Sequence, residues 1–404
     1  MLSCNHNESE SLESAGLTMP KLNDQSSAAI GGAGSVDELL QFRPVDSLSP
    51  EEFAALEELA FTHGQTPDSY LIVERQRLCY LAPDHSAAMS VSEFGPFIHI
   101  FGGILAPVER RKQIIIQLGE LARKTGRFVN FYSIVESDRP LFEEAGWQVT
   151  KMGEDTSLKL ESLSWSGKPY EWVRRQFNFC QRMGLSCREV SRETMDEESW
   201  KSLSEVLVEI QREDLRDRIY SKEMRFLVGK LQPECLGRRR LFIAEDKGQK
   251  RVEAFVIANP MRGGTCWAFE MYRKRKDGPR GAIPFLIKWI IDMLKAEGVE
   301  EVSLCILLWK DTHAFKGKRT SLLLGWGLLA TYHLFGSLYS IKGIIHFKTR
   351  FRPELSNCYV CATPKVTLQS FRSFFRTIGA FTLNSRNLVR TLGNCLISRK
   401  REGV

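Results

Sequence analysis

Glu270 and Arg273 stand three residues apart at the end of the run Trp267-Ala-Phe-Glu-Met-Tyr-Arg273. Trp267, Phe269 and Met271 alternate with Ala268, Glu270 and Tyr272, the period-2 pattern of a strand. Four consecutive cations, Arg273 to Lys276, lead into an Asp277-Gly278-Pro279 turn that also carries Arg280. Ile283, Ile287, Ile290, Ile291 and Leu294 then share one face of a helix, with Pro284 tolerated in its first turn. A strand, a basic glycine-containing loop and a helix N-terminus together set backbone N–H groups and positive charge beside an anionic ligand. Glu270 is a carboxylate among aromatic side chains, a setting that tunes proton affinity. The combination fits a phosphate-bearing substrate.

Other residues carry weaker signals. Lys348, Arg350 and Arg352 alternate along a run read as extended, so they project from one face as a basic stripe. The same spacing also serves an edge strand that uses charge to repel neighbours. Arg238-Arg239-Arg240 reads as a solvated turn, and Arg174 and Arg175 lie near Trp172. His313 and His346 have no carboxylate or thiol at ligand spacing, and both read as structural or exposed. Cys358 and Cys361 form a lone CxxC pair without a second pair at zinc-ribbon spacing. No metal is expected. The ten cysteines follow no disulfide framework and read as reduced thiols of a cytoplasmic protein.

Charge is unevenly placed. The chain holds 56 Lys/Arg against 49 Asp/Glu, and from Phe371 onward seven cations face Glu402 alone. That tail, interleaved with Phe371, Phe374, Phe375, Ile378 and Phe381, reads as a basic amphipathic segment (366–404) suited to a membrane surface or nucleic acid. The N-terminus shows no apolar stretch of the signal-peptide kind. Leu322 to Ile341 contains no formal charge and approaches the length of a membrane span. Its glycines, His333 and hydroxyl residues favour one or two buried or interface-lying helices broken near Phe335-Gly336.

The 404 residues suit two or three domains. Residues 1–40 are polar and low in aromatics, a disordered composition. Ser49-Pro50 opens a helix, and Tyr70–Val73, Leu78–Leu81 and Phe97–Ile100 read as strands. A helix over Pro107–Lys124, a strand over Arg127–Tyr132 and a short helix at Pro140–Ala145 follow, with strand candidates at Trp147–Met152 and Thr156–Leu160. The order then recurs. Helices at Glu198–Ile210 and Lys222–Val228 precede strands Arg240–Ala244, Ala254–Ala258 and Thr265–Tyr272, the helix 283–296 and the strand Val302–Leu308. Two related α/β units with mixed sheets are expected, over 41–185 and 186–365.

Seven strings in series resemble the C-terminal, cytosolic catalytic domain of bacterial phosphatidylglycerol lysyltransferases, the aminoacyl-phosphatidylglycerol synthases. They are Gly126-Arg-Phe-Val-Asn-Phe-Tyr132, Lys151-Met-Gly-Glu-Asp155, Arg174-Arg-Gln-Phe-Asn178, Lys222-Glu-Met-Arg-Phe226, Phe269-Glu-Met-Tyr-Arg273, Asp277-Gly-Pro-Arg-Gly281, and Phe347-Lys-Thr-Arg-Phe-Arg-Pro353 leading to Tyr359. The resemblance implies tandem acetyltransferase-like (GNAT) folds of the α/β (α+β) class, flanking a tunnel where aminoacyl-tRNA meets its acceptor. It implies roles in activity for Glu270 and Arg273. It adds Lys151, Glu154, Arg174, Asn178, Asp277, Arg280, Lys348 and Arg350 as substrate-binding candidates. The family usually has Asp at the position of Glu270 and commonly Asn at that of Arg280. This sequence also carries none of the transmembrane block typical of the lysyltransferases.

The resulting expectation is an aminoacyltransferase that moves an amino acid from aminoacyl-tRNA to a phospholipid headgroup such as phosphatidylglycerol. It would act in the cytoplasm, peripherally at the inner face of the plasma membrane, with aminoacyl-tRNA as co-substrate and no other cofactor. Glu270 would take the acceptor proton or hold the α-ammonium, and Arg273 would pair with phosphate. A salt bridge from Glu270 to Arg273 or Lys274 is the structural alternative. The basic stripe would follow a tRNA acceptor stem or a headgroup. An acetyl-CoA-dependent N-acyltransferase is the second reading, and a non-catalytic tRNA- or membrane-binding module the third.

Overall fold

The chain folds as a computed structural model that describes residues 40–217, 225–308, 310–312, 317, 319–335 and 341–379. After β1 (Phe42–Pro44), helix α1 (Pro50–His63) begins where Ser49 predicts it. The Ser49 hydroxyl accepts from the Glu52 amide, and the Glu52 carboxylate accepts from the Ser49 amide. Strands β2 (Leu78–Leu81), β3 (Ala88–Phe94) and β4 (Phe97–Leu105) form an antiparallel meander. Helix α2 (Val108–Thr125) crosses over to β5 (Phe128–Val135), which pairs parallel to β4. Helix α3 (Arg139–Glu144), the long β6 (Gln148–Lys159) and α4 (Glu171–Arg182) complete the first half.

The pattern then repeats. Strand β7 (Leu185–Val190) and helix α5 (Glu197–Asp217) precede the antiparallel strands β8 (Arg240–Asp246), β9 (Arg251–Met261) and β10 (Cys266–Lys274). Helix α6 (Ala282–Ala296) crosses to β11 (Glu301–Ser303), parallel to β10 as β5 is to β4. This recurrence gives the two related α/β units that the pattern predicts. Next come β12 (Leu307–Leu308), α7 (Leu322–Phe335), α8 (Ile341–Thr349), β13 (Glu354–Thr363) and α9 (Leu368–Thr377).

The two halves share one mixed sheet, ordered β1-β2-β3-β4-β5-β13-β6-β11-β10-β9-β8-β7, with β12 also on β6. The late strand β13 is inserted between β5 and β6, while β6 reaches on to β11. Strand pairing therefore crosses the 185/186 division in both directions. Helix α2 covers one core through Ile114 and Leu118, and α6 covers another through Ile287, Ile290, Ile291 and Leu294. Helix α5 packs on the opposite face of β8–β10 through Trp200, Leu207 and Ile210. Strand β10 is thus buried from both sides, with Phe269 facing α6 and Met271 facing α5.

Several expectations are corrected. Tyr70–Val73 is a buried 3-10 turn over Ser69–Val73, because four apolar residues without alternation carry no strand signal of their own. The expected strand Val302–Leu308 is broken at Cys305, whose φ is +67°. Of the helix expected at Lys222–Val228, residues 222–224 lie outside the described residues and 225–228 form turns and a bend. Cys358 and Cys361 face different cores on opposite sides of β13, so they cannot clasp one ion. The break expected near Phe335-Gly336 falls at the edge of the described residues, since 336–340, His313 and Phe381 lie outside them. No described helix is long and apolar enough to cross a membrane.

The C-terminal segment differs most. Thr367 and Ser370 form a capping box that starts α9, and Phe371, Phe374, Phe375 and Ile378 pack inward rather than toward a membrane. The Phe374 ring lies 4.5 Å from Tyr132 and 6.4 Å from Phe101. Buried His99 joins Tyr132 (2.9 Å) to Ser373 of α9 (2.7 Å), tying the helix to β4 and β5. Phe374→Ala is therefore expected to destabilise the whole fold by about 3 kcal/mol, measured by urea unfolding. A tail lying on the surface would leave the midpoint unmoved.

Candidate active site around Glu270

Strand β10 carries a bulge at its centre. Phe269 pairs with Ala258 and Met271 with the adjacent Ile257, so Glu270 has no partner in β9. A bulge of this kind re-aims one side chain while the strand stays in the sheet. Here it turns Glu270 away from both apolar cores. Glu270 is half-buried as a residue, as are Asp155 and Cys305, while its Oε2 atom is itself buried. The three lie within electrostatic reach of one another, with both carboxyls acting on the Cys305 thiol.

A second carboxylate meets Glu270. The Gly229 amide donates to Glu270 Oε1, and the next amide, Lys230, donates to Glu74 Oε1 at 2.8 Å. A Cβ on Gly229 would lie 2.8 Å from Glu74 Oε1 and 3.1 Å from Glu270 Oε2, so only glycine lets the backbone pass between the two acids. Glu74 is neutralised by Arg77, which donates from Nε (3.0 Å) and Nη2 (2.6 Å), and by Arg239 at 3.6 Å. Glu270 Oε2 has no hydrogen-bond partner among the described residues. Burial, then the charge of Glu74, pushes the Glu270 carboxyl up to about 7 against the pull of the Gly229 amide, Arg239 and Arg273. Glu270 is therefore a carboxyl poised to exchange a proton near neutral pH.

Cations lie close to this group. Arg273 extends from the same strand, with Nε 3.1 Å from Asp214 of α5, and acts electrostatically on Glu270. Lys348 is buried and donates to the carbonyls of Cys305 (3.1 Å) and Ile306 (3.4 Å). Burial lowers its proton affinity, while Asp155 restrains that fall. Asp155 accepts from Ser303 at 2.8 Å, and burial raises its proton affinity. The Cys305 thiol reaches the Phe269 carbonyl at 3.3 Å, linking this polar seam to the bulge. Farther along β6, Lys151 pairs with Glu154 (2.7 Å), whose other oxygen meets Lys310 at 3.2 Å.

The structure thus sets Arg273 and Cys305 in electrostatic reach of Glu270 and Lys348 against Cys305, with Lys151 and Glu154 on β6, separated from β10 by β11. The expected extended stripe is corrected. Lys348 lies in the last turn of helix α8, Arg350 stacks over Trp172 at 4.8 Å, and Arg352 lies in a turn with φ +56°. Ile341, Ile344 and Ile345 already follow helical spacing, and the apparent alternation belongs to the turn after it. Arg174 holds a loop by donating to the carbonyls of Trp165 and Gly167. Asn178 and Arg280 are exposed.

Asp277 pairs with Arg251 at 2.7 Å, at the start of β9. Six residue steps along the strand lead from Arg251 to Ile257 beside the bulge, about 20 Å at strand rise. The loop amides of Gly278 and Ala282 donate to Arg275 and Pro279 of their own turn. Gln176 and Cys180 of α4 crowd Gly281 at the start of α6, each 2.9 Å from where its Cβ would lie.

Glu74, Arg77, Gly229 and Arg239 carry no local signal in the sequence. Arg239 stands in a trio read as a solvated turn, yet each member is paired. Arg238 meets Glu58 at 2.6 Å, Arg239 faces Glu74, and Arg240 meets Glu189 and Glu297, both at 2.6 Å.

Residues 56–362 match the family described as phosphatidylglycerol lysyltransferase, C-terminal. A phosphatidylglycerol lysyltransferase of Staphylococcus haemolyticus is 20% identical over 317 residues, 75% of this chain and 35% of that protein. The lysylphosphatidylglycerol biosynthesis bifunctional protein LysX of Rhodococcus jostii is 20% identical over 325 residues, 79% of this chain and 28% of its own length. The chain thus spans about a third of the curated relatives it matches. L-PGS from Bacillus licheniformis shares the fold, with TM-score 0.66 and 19% identity over 82% of this chain and 97% of that one. The C-terminal domain of a putative lysylphosphatidylglycerol synthetase from Agrobacterium fabrum does so too, with TM-score 0.66 and 18% identity over 83% and 98%. With the match running through both halves of the sheet, the chain belongs to the phosphatidylglycerol lysyltransferase C-terminal family.

Proposed function

We propose that the protein transfers an aminoacyl group from aminoacyl-tRNA to a hydroxyl of a phospholipid headgroup such as phosphatidylglycerol, at the cytoplasmic face of the membrane. The observation that carries this reading is a deep, bulge-presented carboxyl at Glu270 with proton affinity near neutrality, bordered by cations. An aminoacyl ester is already activated, so the reaction needs alignment and proton transfer more than covalent catalysis. Ionised Glu270 takes the proton of the acceptor hydroxyl as its oxygen bonds to the ester carbonyl carbon. The bond to the tRNA ribose oxygen then breaks, and that oxygen recovers the proton from Glu270. Arg273 and Lys348 supply positive charge for the acceptor phosphate and the transient oxyanion. Lys151, Glu154 and Lys310 extend the charged lining for the donor.

An acetyl-CoA-dependent reaction is the less favoured alternative. Its pyrophosphate would need free amides at the start of α6, where the Gly278 and Ala282 amides are spent internally and α4 crowds Gly281.

The test is incubation of the protein with radiolabelled aminoacyl-tRNAs and total lipid, followed by separation of lipid-linked from free label. Label is expected in the lipid fraction. Its rate should rise with pH through about 7 and level off above, as Glu270 ionises. Label that stays on tRNA with every amino acid would overturn the reading, as would label appearing only from acetyl-CoA.

A further inference from the structure

Helix α7 presents apolar side chains on two opposite faces. Leu324 is buried, Leu328 packs on the core, and a Cβ on Gly327 would fall 2.4 Å from the Phe371 ring of α9. This is the inner face. At about 100° per residue, Leu322, Trp326 and Leu329 lie roughly 180° from it. Those three are 77%, 70% and 38% exposed. A tryptophan and a leucine standing so far into water is unusual for a helix already anchored to a core.

The surroundings identify what covers this stripe. Residues 312–401 contain fifteen Lys/Arg and one acidic residue, Glu354, whereas residues 1–311 hold 41 Lys/Arg against 47 Asp/Glu. The exposed stripe therefore lies within the cationic part of an otherwise acidic chain. Arg319 is exposed just before α7, and Arg372 is exposed beside Phe371 on the helix that α7 rests against. An uncharged apolar face with a tryptophan, carried by the cationic part of the sequence, matches the headgroup boundary of an anionic bilayer.

We propose that the outer face of α7 docks on an anionic phospholipid surface, with Leu322, Trp326 and Leu329 inserted and the neighbouring cations on the headgroups. This deepens the transfer reading by naming the face that reaches the lipid, but it stands on binding measured without tRNA. The inward-turned phenylalanines of α9 are structural in this scheme, and α7 takes the membrane role that the amphipathic tail seemed to offer.

The full chain is sedimented with vesicles of phosphatidylcholine alone or with one-quarter phosphatidylglycerol. Binding is expected only with the anionic lipid. Leu322→Ser/Trp326→Ser should lower the partition coefficient by about tenfold or more with unchanged thermal unfolding. Arg372→Glu should weaken binding at low salt, an effect that fades as salt rises. Wild-type-like partition by the double variant would overturn the proposal. So would light scattering that shows a dimer lost in the double variant while vesicle binding is kept, since the stripe would then cover a second copy. Transfer to detergent-dispersed phosphatidylglycerol separates the two readings. It should survive the double substitution, and its absence in the wild type would remove the transfer reading while leaving the docking result intact.

Discussion

Glu270→Gln should lower aminoacyl transfer by about 10²–10⁴-fold, the usual worth of a positioned general base, and make the protein more stable above neutral pH. Both effects come from one feature. The carboxyl is raised to about 7 from its ordinary 4.5 because burial and Glu74 oppose its charge. An acid raised in the folded state is protonated there more readily than in the unfolded chain. Folding is therefore unpenalised below pH 4.5, loses stability as pH climbs toward 7, and stays penalised beyond. At 1.36 kcal/mol per unit, the full penalty is roughly 3 kcal/mol. Glutamine keeps an oxygen for the Gly229 amide and places a donor where Oε2 now faces Glu74 without a hydrogen-bond partner. Urea unfolding should show the variant more stable than wild type at pH 8 and equal to it at pH 4.5. Undiminished transfer would remove Glu270 from the chemistry, and a pH-independent stability difference would refute the charge argument.

Much of this site is visible in sequence because local rules write it. Period-2 alternation through Met271 marks β10, and Ile283, Ile287, Ile290 and Ile291 mark α6. The family strings then single out Glu270 and Arg273. What tunes Glu270 is written nowhere nearby. A bulge is one unpaired residue and leaves no trace in composition. Glu74 lies 156 residues from the Lys230 amide that holds it, and Arg239 reaches it only once both halves share a sheet. Lys348, Arg350 and Arg352 show the opposite failure. Three alternating cations look extended, but the isoleucines before them had already committed the chain to a helix. The insertion of β13 between β5 and β6 is equally hidden, since an apolar strand such as Cys358–Ala362 fits many places in a sheet.

Gly229→Ala tests the same pair from the backbone side. The new methyl would fall 2.8 Å from Glu74 Oε1, 2.9 Å from Leu71 Cδ2 and 3.1 Å from Glu270 Oε2. None of the three yields easily. Leu71 is buried beside α1, and Glu74 is fixed by two arginines and the Lys230 amide. The backbone must therefore lift, releasing both amides from their carboxylates. Overpacking and two broken charge-assisted hydrogen bonds predict a loss of about 2–4 kcal/mol. Transfer should fall at least about 10²-fold as Glu270 loses its orientation. Gly325→Ala is the matched control. Its methyl meets nothing within 4 Å inside helix α7, so helix propensity should add up to about 1 kcal/mol. If Gly229→Ala instead matched wild type in unfolding midpoint and in transfer, the amides at 229 and 230 would have no hold on the acidic pair.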